Sequence, residues 1–395
     1  MKVLIFIALL IASVYSAEVV AVGDKFKDSS KCQACHNHLV EDWQHSWHAR
    51  SYEKNDEYFR ASVEYVSKKS HKSLNAVKVE CATCHNPRIA VTSTSKAYEI
   101  DAVLGLDKNS KVNKAVNDVS ISEGINCVVC HNIDQIHNNF DASKRGMDRV
   151  SWLKSGVMSG PFSDATSPYH KTQQRDFMDK DPNQLCFVCH ANDHTVKGDT
   201  FTNMQAEYKN DDQKCVTCHM GEKKELYAAT LRIDHGKPKK RAIRDHGFSG
   251  AHTASMWKNA LHVSAKKDGN DLLITLKNDL PHNLPSGFGS REILVDVAYT
   301  SANKVVSQDS TSLTRHYQNK YKRATIAHTA ETSSSDESVP AKGEKTLRVK
   351  LDKNANGAVI SVSYRLVNDE VRDLLQLKEP IWSQKLAISK VSVAF

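Results

Sequence analysis

Beyond residue 12 the sequence has no apolar run approaching eighteen residues, which excludes a polytopic membrane protein. Aromatic residues make up only 7% of the chain, and there are 16 glycines and 9 prolines in 395 residues. That is too little for a collagen-like or low-complexity chain. No cysteine occurs after Cys218, so the last part of the chain has no thiol chemistry of its own. What remains is 25% charged and 40% hydrophobic, enough for two ordinary domains or one large one. The formal charge of +8 raises nucleic acid or a membrane surface as a partner, until the cysteines supply another use for it.

The first residues read as an export signal. Met1-Lys2 is a short basic start, Val3 to Ala12 is apolar, and Ser13-Val14-Tyr15-Ser16-Ala17 offers small residues for cleavage after Ser16 or Ala17. The mature protein is expected to be soluble and to lie in the periplasm or at the cell surface.

All ten cysteines fall into five copies of one pattern. These are Cys32-Gln33-Ala34-Cys35-His36, Cys81-Ala82-Thr83-Cys84-His85, Cys127-Val128-Val129-Cys130-His131, Cys186-Phe187-Val188-Cys189-His190 and Cys215-Val216-Thr217-Cys218-His219. C-x-x-C-H is the attachment site of a c-type haem. Two thiols add to the vinyl groups of one porphyrin, and the adjacent imidazole is the proximal iron ligand. A zinc half-site or a disulfide has no need of a histidine at the next position, let alone five times. Chance supplies about 0.01 copies at this composition. The cofactor expected is therefore five c-type haems. Cys32, Cys35, Cys81, Cys84, Cys127, Cys130, Cys186, Cys189, Cys215 and Cys218 would hold them, and His36, His85, His131, His190 and His219 would be proximal ligands. No cysteine is left over for a structural disulfide.

Five porphyrins serving roughly two hundred residues would be the main apolar mass there. Each brings two propionates, so five ferric haems would remove about five units of charge and five ferrous haems about ten. The Lys and Arg excess then reads as propionate partners and solvated surface, and nucleic acid is set aside. The last two motifs are the closest in sequence, which suggests adjacent haems.

Around the motifs, Leu39 to Ala49 lacks Gly and Pro and reads as helix. Phe59, Val63 and Val66 make 53–70 an amphipathic helix. Stretches 86–122 and 132–185 read as loops and short helices. After a basic hinge at Lys237-Pro238-Lys239-Lys240-Arg241 the period changes to two. Leu272/Ile274/Leu276, Ile293/Val295/Val297/Tyr299, Leu347/Val349/Leu351 and Ile360/Val362/Tyr364/Leu366 alternate, and a last strand runs from Leu386 to Phe395. Such a set predicts an antiparallel Ig-like β-sandwich. Region 307–340, rich in Ser and Thr, reads as a long insertion. The expected fold is α+β. It has a signal peptide at 1–17, a mostly helical or irregular pentahaem domain at 18–236, a basic hinge and haem-contacting linker at 237–252, and a β-sandwich at 253–395.

Fourteen histidines remain for the distal positions. His48 follows the Trp43/Trp47 helix that would pack on a porphyrin. His170 ends a Ser167-Pro168-Tyr169 turn, His246 and His252 flank a glycine-containing loop, and His282 lies on a loop after a strand. These five are the candidate distal ligands. His45 competes with His48, His137 and His71 are reserves, and Met204 is a weak candidate. His38, His194 and His235 read as solvated or as propionate partners, and His262, His316 and His328 as ordinary surface residues.

The residues as a set resemble the multihaem cytochrome c-552/4 family. The resemblance is carried by Trp43-x-x-Ser46-x-His48-Ala49, by Val79-Glu80-Cys81-Ala82-Thr83-Cys84-His85-Asn86-Pro87, by Glu123-Gly124-Ile125-Asn126-Cys127 and by Cys215-Val216-Thr217-Cys218-His219-Met220. His246-Gly247-Phe248-Ser249-Gly250-Ala251-His252 and His282-Asn283-Leu284-Pro285-Ser286-Gly287 resemble a β-sandwich appended to such cytochromes. There, histidines at matching positions reach back to the haems. Pro281 and Ser286 depart from the usual Gly and Thr.

The function expected is electron transport in respiration, between periplasmic or membrane-associated redox proteins, with docking through the sandwich as a further role. No catalytic residue is singled out. The alternative is an oxidoreductase acting on a small nitrogen or sulfur compound at one open-coordinated haem. Its proton donors would be sought among His45, His137 and Tyr169.

Overall fold

The computed structural model describes residues 28–137, 144–209, 213–230 and 238–395. The expected signal peptide and His235 lie outside them. No helix among the described residues is long and apolar enough to cross a membrane.

The N-terminal part is a series of short helices, several of them started by a side-chain cap. The stretch expected as one helix from Leu39 to Ala49 is two, Asn37–Gln44 and Trp47–Arg50. Ser46 breaks it, because its hydroxyl accepts a hydrogen bond from the Ala49 amide and starts the second helix. The amphipathic helix runs Glu57–Ser70, capped by Asp56 and ended by His71 in the left-handed region. Its apolar stripe buries Phe59 and Val63. The next helix, Leu74–His85, carries the second cysteine motif at its C-terminal end. The other four motifs also sit on one- or two-turn helical segments. Small strand pairs fill the intervals, such as Val157–Gly160 beside Lys171–Gln174 and Lys224–Tyr227 beside Lys240–Ile243. The second pair anchors the expected hinge at residues 240–243.

From residue 262 the alternating pattern becomes two packed sheets. One has the order Gly343–Lys350, Asp271–Asn278, His262–Asp268; the other has Lys304–Leu313, Glu292–Ser301, Gly357–Arg365, Leu386–Ala394. All the pairings are antiparallel. Leu272, Ile274, Leu276, Ile293 and Ile360 are fully buried between the sheets, and each stabilises the sandwich by about 1.5–3 kcal/mol. Trp257 stacks on Tyr364 with ring centroids 3.6 Å apart.

Region 307–340 is not a loose insertion. Its first residues complete the edge strand Lys304–Leu313, and Tyr317, Ile326, Ala327 and Ala330 are buried. These apolar residues follow no helical or strand period, which is why the composition misleads. The segment packs on the N-terminal domain: Tyr65 Oη lies 3.1 Å from Thr325 Oγ1. Elsewhere at this junction Tyr58 Oη meets Ser290 Oγ at 3.1 Å, and the Glu57 carboxylate accepts hydrogen bonds from Lys378 N, Glu379 N and Trp382 Nε1. Trp47, Tyr58 and Tyr65 pack against the sandwich core. The two halves therefore share an apolar interface.

Candidate functional site

The cysteine motifs converge. The Cys32 thiol lies against that of Cys127, Cys84 against Cys189, and Cys186 against Cys215. Cys130 is close enough to act electrostatically on both Cys186 and Cys189. The contacts run from the first motif to the third and on to the fourth, with the second and fifth beside the fourth. None of the ten cysteines is in a disulfide. Between the motifs is a cavity of about 2320 Å³, more than twice the upper end of the ~300–1,000 Å³ range of ordinary ligand pockets. Four of the five motifs line it; Cys81, Cys84 and His85 lie away from it. Lys31, Lys214, Lys223, Arg241, Arg244 and Arg291 also line it, cations suited to acidic groups.

The histidines carry the test of the cofactor. A first-row metal binds an imidazole nitrogen at about 2.0–2.1 Å, which puts two ring centroids across one ion roughly 6.3–6.5 Å apart. His36 and His170 are 6.4 Å apart, His48 and His190 6.3 Å, His131 and His246 6.4 Å, and His219 and His282 6.5 Å. Each of the four pairs is therefore spaced as two imidazoles sharing one metal ion would be.

Hydrogen bonds fix which nitrogen is left for such an ion. His36 Nδ1 bonds the Ala228 carbonyl at 2.5 Å, His131 Nδ1 that of Ser159 at 2.7 Å and His219 Nδ1 that of Ser249 at 2.6 Å. His246 Nδ1 and His282 Nδ1 bond the carbonyls of Arg244 and Asn283 at 3.0 and 2.9 Å. A carbonyl only accepts, so Nδ1 carries the proton and Nε2 keeps its lone pair for a metal. Burial pushes His48 and His131 down to about 4 and His190 to about 3, and so favours the neutral ligand form.

The structure brings four of the five expected distal histidines opposite a proximal one, and none opposite its neighbour in sequence. His252 is the exception, and its assignment is corrected. Its ring stacks on Trp47 with centroids 3.4 Å apart, because the loop after Gly250 turns it towards the sandwich core. It faces no proximal histidine. Nor, among the described residues, does any histidine face His85 at the four-pair spacing. Its ring is instead stacked by Phe59, with centroids 4.1 Å apart and planes 7° apart. A ring stacked on the face of an imidazole leaves the axis through Nε2 clear.

Of the remaining candidates, His45 bonds the Glu41 carbonyl and His137 the Ser151 hydroxyl, both exposed. His71 is the helix-ending residue already described. Met204 lines the cavity beside Ser286. His328, read from sequence as a surface residue, is half-buried and lies 3.3 Å from Asp193. It sits in a segment with no motif, and no local signal marks it.

The residues present fit c-type haem. The paired thiols would hold each porphyrin, and the four imidazole pairs the iron of four of them. The group would supply one-electron redox chemistry, while the chain sets ligation, burial and spacing.

Residues 31–132 match the family model described as cytochrome c554 and c-prime. The fold is similar to that of a penta-haem cytochrome c552 from Thermochromatium tepidum, with a TM-score of 0.68 at 16% identity over 93% of this chain and 98% of that one. A structural-genomics target, SoR45, overlaps with a TM-score of 0.14 at 9% identity, over 35% of this chain and 88% of that one, too low to bear on the fold. No curated protein sequence matches the chain. The chain thus matches the cytochrome c554 and c-prime model over residues 31–132 and has the fold of a penta-haem cytochrome c552, with an antiparallel β-sandwich after the motif-bearing region.

Proposed function

We propose that the protein is an exported pentahaem cytochrome that carries electrons between periplasmic or membrane-associated redox proteins. The observation that supports this most is the set of four imidazole pairs spaced 6.3–6.5 Å apart. An iron filled on both axial sides has no position for a substrate, so it can only gain and lose an electron. The thiol contacts put neighbouring attachment sites side by side, which suits electron hopping. Five attachment motifs imply five haems, and the basic start followed by Val3 to Ala12 supports export. The sandwich, joined to the haem domain through a shared apolar interface, is the surface proposed to dock a partner.

One observation favours a second reading. Among the described residues no imidazole lies opposite His85, so the haem of the second motif would be open on one axial side. An oxidoreductase acting on a small nitrogen or sulfur compound would work there.

Low-temperature EPR of the oxidised protein, with haem stoichiometry from pyridine haemochrome, tests both. Four low-spin haems and one high-spin haem are expected. Five low-spin haems would remove the second reading. Two or more high-spin haems would break the pairing on which the first rests.

A further inference from the structure

The sandwich also reaches the second motif. His328, from the turn Ala327–Thr329, crosses to the haem domain, where its Nε2 lies 3.3 Å from Asp193 Oδ2. Asp193 follows the fourth motif, and its other oxygen lies 2.8 Å from Arg145 Nη1. Arg145 is tied in turn to the second motif, since its carbonyl accepts from Thr83 Oγ1 at 3.0 Å. The next residue, Gly146, lies so close that a Cβ there would be 2.7 Å from Cys84 Sγ. His328 and Asp193 are both near enough to act electrostatically on the His85 ring.

The position is built. Phe201 meets the edge of the His328 ring at 4.8 Å, and Phe288 lies 6.1 Å away. Phe288 also packs on Tyr58, one residue before the Phe59 that stacks on His85. The Asp193 carboxylate, despite its burial, is held down to about 2 by His328 and Arg145, so it accepts from Nε2–H. The opposite nitrogen, Nδ1, is buried and makes no hydrogen bond. A buried polar atom without a partner is costly, by about 1–3 kcal/mol. This one belongs to a ring oriented by a carboxylate beside the attachment motif for which the described residues supply no second imidazole.

We propose that His328, oriented by Asp193, lends its Nδ1 to a small oxygen- or nitrogen-donor ligand bound at the iron of the second motif. The ring exchanges a hydrogen bond with that ligand, accepting from a neutral one such as hydroxylamine and donating to an anion when protonated. The sandwich thereby completes a binding site in the haem domain. This rests on the reading that the His85 haem has an open axial position.

The test is titration of the oxidised holoprotein with fluoride in mildly acidic buffer. The high-spin absorption and EPR signals are followed in the wild type, His328→Ala, His328→Gln and Asp193→Asn. The wild type should bind fluoride at one high-spin haem. His328→Ala should weaken binding at least about tenfold, the loss of a hydrogen bond to a charged group. His328→Gln, which keeps a donor, should recover part of it, and Asp193→Asn should fall between. The low-spin signals should not change. Equal affinity in the wild type and His328→Ala overturns the role of His328 and leaves the open haem standing. A wild type with no high-spin haem overturns the open position and the proposal with it. If His328→Ala then creates a high-spin haem, His328 is itself the sixth ligand.

Discussion

His48 and His190 face each other with ring centroids 6.3 Å apart, though one follows the first cysteine motif and the other ends the fourth. Each proximal histidine with a facing partner takes it from a distant part of the chain: His36 from His170, His131 from His246 and His219 from His282. Each such iron would bind two segments together, so metal ligation would double as tertiary structure.

The first prediction follows from that pairing. His48→Ala should convert one low-spin haem to high spin in the ferric EPR spectrum, and so should His170→Ala, His246→Ala and His282→Ala singly. An unchanged spectrum in any of them removes that residue as a ligand.

His252 behaves differently. Its stack on Trp47 is worth about 0.5–1.5 kcal/mol beyond area burial. His252→Ala should leave every spin state as it was and lower the midpoint of thermal unfolding by a few degrees. A new high-spin signal would restore it as a ligand.

Gly146 adopts φ +54, and a Cβ there would overlap the Thr83 carbonyl oxygen as well as Cys84 Sγ. Gly146→Ala should displace Cys84 and impair attachment at the second motif. Pyridine haemochrome should then report one haem fewer per chain, and mass spectrometry should find the Cys81–Cys84 peptide unmodified. Full stoichiometry would mean that the loop yields instead.

Inside the sandwich, Arg365 Nε donates to Glu292 Oε2 at 2.7 Å, and both side chains are buried. Arg365 also pairs with Asp369, so losing Glu292 leaves it a partner, whereas losing Arg365 strands the buried Glu292 charge. Arg365→Met should therefore destabilise the protein by about 3–5 kcal/mol, and Glu292→Gln by less, measured by chemical denaturation. A cost under about 1 kcal/mol would mean that water reaches the pair.

Asp193 should make the junction acid-sensitive. Its folded-state value is held near 2, below the ordinary 3.8, so the folded state favours the charged carboxylate. The contribution, roughly 2 kcal/mol, is complete above the unfolded value and is lost as pH falls towards 2. Asp193→Asn should flatten the stability profile between about pH 4 and 2. An identical slope in the variant would show that the pairs with His328 and Arg145 do not persist in solution.

The attachment motifs were legible in the sequence because they are local. A thiol, a second thiol three residues on and the adjacent imidazole would serve one porphyrin, and no distant residue is needed to recognise them. The sandwich strands were legible for the same kind of reason: alternation at Leu272/Ile274/Leu276 or Ile360/Val362/Tyr364 records which face each strand buries.

Only the tertiary structure decided which imidazole meets which. His48, His170, His246, His252 and His282 look alike in sequence, since axial ligation depends on the position of two rings in space and leaves no periodic trace. His252 was lost to Trp47 by a turn of the backbone at Gly250. His328 lies in a Ser/Thr-rich stretch whose buried Tyr317, Ile326 and Ala330 follow no period. Its pairing with Asp193 joins residues from two domains, and packing between domains is written in neither local pattern.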